Sequence, residues 1–466
     1  MKRFIFLLAA ICTACISSTP VPLVRTTIPA TAPEHPLQAP VPEKTVMPNG
    51  LTMLSVTRAG LPITQLDMVL RVGAFNDPAE KPGLAAFTAS MLNTGTTTRS
   101  AAQIEDLMAK YGSSLNISID EDSTTLSATV LSEYVPEVIA VMADVIQHPA
   151  FAADEITRMR KQRLAELEHL EADPSSKADD VFQHTVYGKH PYAHAAIGNK
   201  KALESITRKD LVGFHARWFT PQASAVIVVS DLSTGRIQEW MNTAFGPWQG
   251  KNLLARTLIE QPPQAKEALT VIDRPGAVQS QVRMGHIAVP RNHPDYYPLL
   301  ICNAILGGLF NSRINMNLRE DKGYTYGARS QFDFRVGPGP FVVSTGVHTE
   351  VTGPALREIV KEIALIRTEA VHPDELQAAI KRYSLSLPGQ FQTVEQTASM
   401  FVNLFIHDLP LDYYSHLPAE LAKVTAQDVL RVARAHLDPA KMTVVIVGDK
   451  AKVEKTIGAP VSSTKI

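Results

Sequence analysis

A few residues of this chain carry groups able to act in chemistry, although their spacing by itself defines no site. Arg319 and Tyr326 stand seven apart. A guanidinium offers a fixed fork of donors to a carbonyl oxygen, and a phenol can donate to an oxygen that gains charge during a reaction. Both also have plain structural explanations. Tyr326 alternates with Tyr324, Ala328, Phe332 and Phe334 as a core strand residue would, and Arg319 could pair with Glu320 or Asp321 at a helix end. His184, His190 and His194 place three imidazoles close together, a set in which a metal site could be sought. Glu166 is a carboxylate on a strongly charged helical stretch, where a solvated helix face explains it equally well. Cys302, in the apolar run Leu299 to Leu306, reads as a small buried apolar residue.

The elements that must position these groups belong to a long, ordinary globular chain. Its 466 residues, 45% hydrophobic and 20% charged, are too many for one compact core and imply two or more domains. Lys plus Arg total 45 against 46 for Asp plus Glu, so no net field draws the protein to nucleic acid or anionic lipid. The three cysteines, Cys12, Cys15 and Cys302, exclude a disulfide framework, because the first two lie in a segment that reads as an export signal.

That segment begins with Lys2 and Arg3, and Phe4 to Ile16 follows as an apolar run shorter than the roughly 18 to 20 residues that span a bilayer. Cys15, preceded by Thr13 and Ala14, resembles the lipidated cysteine of a bacterial lipoprotein; plain cleavage nearby with a soluble product is the alternative. Residues 1–15 are therefore read as a signal peptide. Residues 16–43 form a Pro-rich tether, since eight of the 32 prolines lie between Pro20 and Pro48. The expected location is the periplasm, with a lipid anchor at Cys15.

The body is a duplicated unit. Asp210 to Asp231 and Asp428 to Asp449 share a helical segment, a proline (Pro221, Pro439) and a β-branched run closed by an acidic residue, offset by 218 (210 to 428). Arg58, Gly60, Thr64 and Gln65 match Arg274, Gly276, Ser280 and Gln281 at an offset of 216 (58 to 274). The expected domains are 44–248 and 266–456, joined by a linker at 249–265 and followed by a tail at 457–466. Ser100 to Gln103 has capping-box spacing, with Ile104, Leu107, Met108 and Tyr111 at helical spacing and Gly112 at the stop. Ser123 to Leu131 alternates as a strand, while Tyr134 to Gln147 and Asp154 to Glu171 read as helices. Strands and helices in this irregular order imply an α+β fold.

Residues Gly83 to Thr96 read GLAAFTASMLNTGT. They resemble the signature of the pitrilysin/insulinase family of zinc peptidases, G-L-A-H-F-x-E-H-M-L-x-x-G-T, which carries the inverted H-x-x-E-H zinc motif. The frame fits at Gly83, Leu84, Ala85, Phe87, Met91, Leu92, Gly95 and Thr96, but Ala86 and Ser90 stand in place of the zinc histidines and Ala89 in place of the glutamate base. Alanine has no lone pair to offer and a neutral hydroxyl is a poor zinc ligand. By the same resemblance Glu166, 76 residues after Ser90, matches the third ligand position, and the stretch Gly188 to Gly198 with its His-Pro-Tyr is a structural segment. Leu306 to Tyr326, LGGLFNSRINMNLREDKGYTY, resembles the family's C-terminal signature. There the resemblance makes Arg319 and Tyr326 the pair that holds the substrate backbone and the developing oxyanion.

The resemblance implies tandem mitochondrial processing peptidase-like domains, each an antiparallel-dominated sheet with helices on one side, facing each other around a peptide-holding chamber. It also implies a division of labour. This chain is expected to hold no metal and to be inactive alone. It would supply Arg319 and Tyr326 in trans to a homologous partner that carries H-x-x-E-H and the zinc, acting on unfolded or extended peptides. A stand-alone, catalytically inactive peptide-binding or scaffold lipoprotein is the other reading that the residues leave open.

Overall fold

The computed structural model describes residues 38–250 and 268–458. The signal, Cys15, nearly all of the tether, nearly all of the linker and most of the tail lie outside the described residues.

Two sheets carry the duplication. The first comprises β1 (Glu43–Val46), β2 (Thr52–Thr57), β3 (Ile63–Leu70), β4 (Asn116–Ile119), β5 (Thr124–Leu131) and β6 (Ser224–Ser230), in the order β1-β2-β6-β3-β5-β4. The second comprises β7 (Ala268–Asp273), β8 (Gln279–Ile287), β9 (Thr325–Phe332), β10 (Pro340–His348) and β11 (Thr443–Gly448), in the order β7-β11-β8-β10-β9. Apart from the extra edge strand β1 the orders are the same: β2 runs parallel to β6 as β7 does to β11, and the remaining pairs are antiparallel. The offset of 216 carries the start of β3 onto β8 (63 to 279), and 218 carries the end of β6 onto β11 (230 to 448). Even a backbone bond repeats, with Arg58 N–H donating to Ser230 O and Arg274 N–H to Gly448 O, both at 2.7 Å.

Local chemistry sets the helices. Ser100 Oγ accepts from Gln103 N and Gln103 Oε1 accepts from Ser100 N, starting the Ala101–Lys110 helix, and Gly112 beyond its end is left-handed at φ +63°. Thr207 with Asp210 and Thr425 with Asp428 close the same reciprocal box at equivalent helix starts, Arg208–Trp218 and Ala426–His436.

Each sheet packs its own half's helices on one face and receives a helix from the other half on the opposite face. The Pro174–Tyr187 helix of the first half crosses β8 and β11, and the Val394–Ile406 helix of the second crosses β3 and β6. Every residue of β6 and β11 is consequently buried, which is why both strands are unbroken runs of small and β-branched residues and do not alternate. Phe182, Val186, Tyr187 and Tyr192 form one apolar cluster with Val445 of β11. The exchange is pinned symmetrically: Arg58 donates to the carbonyls of Phe391 and Gln392 (2.8 Å each), and Arg274 to that of Ala172 (2.5 Å), just ahead of the two exchanged helices. Cys302 is fully buried, and burial pushes its thiol up to about 12.

Candidate functional site

In the first half the motif helix, Leu84–Ser90, is built as its frame requires. Gly83 caps it at φ +93°, and a Cβ there would meet Ile197 O at 2.5 Å. Asp77 accepts the N–H groups of Gly83 and Ala85 at 2.6 Å each, while burial pushes its carboxyl up to about 7. Leu84, Ala85, Phe87, Met91 and Leu92 fill the core.

Positions 86, 89 and 90 share one helix face, as i, i+3 and i+4 must. That face offers a metal almost nothing. Ala86 and Ala89 are methyl groups at 1% exposure, and the Ser90 hydroxyl donates to Phe87 O at 2.8 Å, its neutral oxygen being a poor zinc ligand. Glu166 lies exposed on the Ala153–Ala172 helix. Two methyls, one neutral hydroxyl and one carboxylate do not fit zinc. His190 Nδ1 accepts from Tyr192 N, His194 Nδ1 lies 3.1 Å from Ala195 O, and Tyr192 OH donates to Asp122 Oδ1 at 2.6 Å, so this stretch serves structure.

Among the described residues His293, Asp295 and His436 group metal-type donors, and several of these already serve hydrogen bonds and an ion pair within the protein. His293 Nδ1 accepts the Asp295 amide (3.1 Å), while Asp295 takes His436 Nε2 at 2.7 Å and the Arg431 guanidinium at 2.8 Å. Although burial alone would raise it, bonds from His436 and Arg431 hold the Asp295 carboxyl below its usual range. The Asp295 charge is thus already balanced by Arg431.

In the second half Arg319 and Tyr326 line one cavity of about 580 Å³. Arg319 lies in a wide π-helical turn, Met316–Asp321, a rare geometry that recurs at functional sites. Its guanidinium stacks over Phe310 at 4.8 Å and meets Glu320 at 3.1 Å. Tyr326 is no core residue: it is 86% exposed. The cause is a bulge. Ala328 pairs with Thr345 and Thr325 with Val347, so β9 spends one residue more than β10 across this step. Tyr326 thereby leaves the face that Ala328, Ser330 and Phe332 bury. Thr325 Oγ1 holds the bulge by donating to Gly346 O (2.7 Å), and Thr345 Oγ1 donates to Gly327 O (3.0 Å).

The remaining signature residues brace this pair. Asn315 accepts from Ala328 N (3.0 Å) and donates to Phe310 O (2.6 Å), tying the outer edge of β9 to the cavity loop. A Cβ on Gly307 would come within 2.4 Å of Ser330 Oγ, which explains the glycine there. Arg313 binds Glu375 through two bonds (2.8 and 2.7 Å) that hold the Glu375 carboxyl below its usual range. Arg329 and Arg382 also line the cavity, and sequence reading missed both. Arg329 is one more outward residue of β9, and Arg382 arrives from the distant Pro373–Ser386 helix with no spacing signal.

A duplicated α+β body with an emptied metal helix and a braced Arg/Tyr cavity defines a peptidase-like protein that lacks its own metal set. Residues 53–200 match the family model described as Insulinase (Peptidase family M16), and residues 205–383 match Peptidase M16 inactive domain. The chain belongs to the insulinase (M16) peptidase family, among the members without an intact zinc motif. An uncharacterized zinc protease of Mycobacterium tuberculosis is 25% identical, over 90% of this chain and 96% of that relative. A non-peptidase homolog, YmxG, of Helicobacter pylori is 24% identical, over 84% and 90%. The crystal structure of a peptidase M16 inactive domain from Pseudomonas fluorescens superposes with a TM-score of 0.81 at 25% identity, covering 87% of this chain and 98% of that one.

Proposed function

We propose that this chain is the metal-free subunit of a two-chain peptidase, supplying Arg319 and Tyr326 to the zinc site of a homologous partner that carries H-x-x-E-H. One observation carries the reading: a bulge turns Tyr326 out to 86% exposure beside Arg319, although its own half could have buried it. Phe310 next to them is 64% exposed, which suits a surface that a partner covers. The similarity to the Helicobacter pylori non-peptidase homolog supports the absence of hydrolysis by this chain alone. In the assembled pair Arg319 holds a substrate carbonyl and Tyr326 donates to the oxygen as it gains charge.

The test is co-expression with a homologue bearing the intact motif, then metal analysis and a peptide-cleavage assay. The isolated chain is expected to hold no stoichiometric zinc and to cleave nothing, and the pair to hold about one zinc and cleave unfolded peptide. Near-stoichiometric zinc in the isolated chain, with chelator-sensitive hydrolysis, overturns the proposal. Failure to associate leaves the peptide-binding scaffold.

We also place the protein in the periplasm, anchored through a lipidated Cys15. Among the described residues no helix is long and apolar enough to cross a membrane. The full chain is expected to sediment with membranes and Cys15→Ser to become soluble; soluble recovery of the unmutated chain refutes the anchor.

A further inference from the structure

The cavity holds more positive charge than the Arg/Tyr pair accounts for. Three guanidinium groups line it, from Arg319, Arg329 and Arg382, on three different elements. No carboxylate lines it. Glu320 partly offsets Arg319, but the guanidinium groups of Arg329 and Arg382 have no ion pair or hydrogen bond among the described residues. Of the two carboxylates on the helix that carries Arg382, Glu375 is taken by Arg313 through both of its oxygens, and Asp374, in the first turn, is solvent-exposed beside His372 at 3.4 Å. General basicity is no explanation, because the whole chain carries a formal net charge of -1. Like charges around one concavity raise each other's energy, and an anion placed among them relieves the repulsion. At about 580 Å³ the space exceeds what a small inorganic anion needs and suits a few residues of extended chain.

We infer that the cavity selects extended peptides that carry a carboxylate, with Arg329 and Arg382 as the residues that set the preference. The inference rests on the reading that this cavity receives peptide. The carboxylate can belong to an Asp or Glu side chain or to a free C-terminus, and both present the same two oxygens to a guanidinium fork.

Four labelled unstructured peptides separate these sources: one sequence with either a Glu pair or a Gln pair, each with a free or an amidated C-terminus. Binding to the full-length chain is read by fluorescence anisotropy, and kcat/KM by the reconstituted pair. A carboxylate-bearing peptide is expected to bind about tenfold tighter than the Gln, amidated one. That margin shrinks as salt rises toward ~0.5 M. The double variant Arg329→Gln/Arg382→Gln reduces it to within about twofold. Both side chains are exposed, and an unchanged melting curve verifies that the variant folds. Tightness that follows only the free C-terminus identifies the chain end as the source and still supports the two arginines. Equal affinity for all four peptides, or a margin that the double variant leaves intact, overturns the inference. If charge preference is absent while Tyr326→Phe still impairs turnover, the inference alone falls. If neither the chain nor the pair binds any of the four, the underlying reading falls with it.

Discussion

Tyr326→Phe is expected to lower turnover of the reconstituted pair by about 100-fold or more, about 3 kcal/mol, which is the effect of removing one preorganised donor to an oxyanion. Assembly and melting should hardly change, because the lost hydroxyl has no partner among the described residues and the ring stays at the cavity rim. Arg319→Ala should produce a comparable loss and raise KM as well, since it removes a donor fork and the stacking on Phe310. Steady-state kinetics of the pair, with sedimentation to confirm assembly, decides the matter. Near-normal turnover after both substitutions would exclude any contribution of this chain to the chemistry.

Arg335→Leu is expected to cost about 3 kcal/mol of stability at pH 7, because it strands a largely buried carboxylate. Arg335 is 5% exposed, pairs with Glu121 across the two halves at 3.0 Å and with Asp333 at 2.8 Å, and lies over the Tyr192 ring at 4.9 Å. Burial raises the Glu121 carboxyl above its ordinary range, and the Arg335 charge is the main force pulling it back. A carboxyl raised in the folded state binds its proton more tightly there than in the unfolded chain, so ionising it drains stability as pH rises. Without Arg335 that drain is unopposed. The penalty should therefore be largest at neutral pH and shrink as pH falls toward 4.5, the ordinary value for Glu. Urea titrations at pH 7 and about pH 5 test this. A penalty that does not change with pH, or one below about 1 kcal/mol, would show that Glu121 is relieved by solvent or relaxation at its 29% exposed side chain.

What could be read from the residues was whatever has a local cause. The Ser100–Gln103 cap, the helix it starts and the stop at Gly112 depend on contacts within a few residues, and all appear as expected. The duplication was legible because two offsets, 216 and 218, nearly coincide, and apart from the extra edge strand β1 the two sheets carry the same strand order. The loss of donors at Ala86, Ala89 and Ser90 needed only the identity of three side chains. Tyr326 was ambiguous because alternation assumes an unbroken register, and the bulge that reverses its face exists only in the pairing of β9 with β10. Arg382 was invisible because its place in the cavity is made by tertiary packing, 63 residues after Arg319. The β-branched runs of β6 and β11 announced buried strands, but not that a helix from the opposite half covers their second face.

The exchanged helices also decide where this molecule can give way. Each is anchored to the neighbouring sheet by an arginine that grips carbonyls just ahead of it, so drawing the halves apart would strip the central strands of both sheets at once. The two halves are thus interlocked, and parting them exposes apolar surface on both sheets together. Under the two-chain proposal, a peptide would therefore have to enter between this chain and its partner, and its admission would depend on how firmly the two adhere.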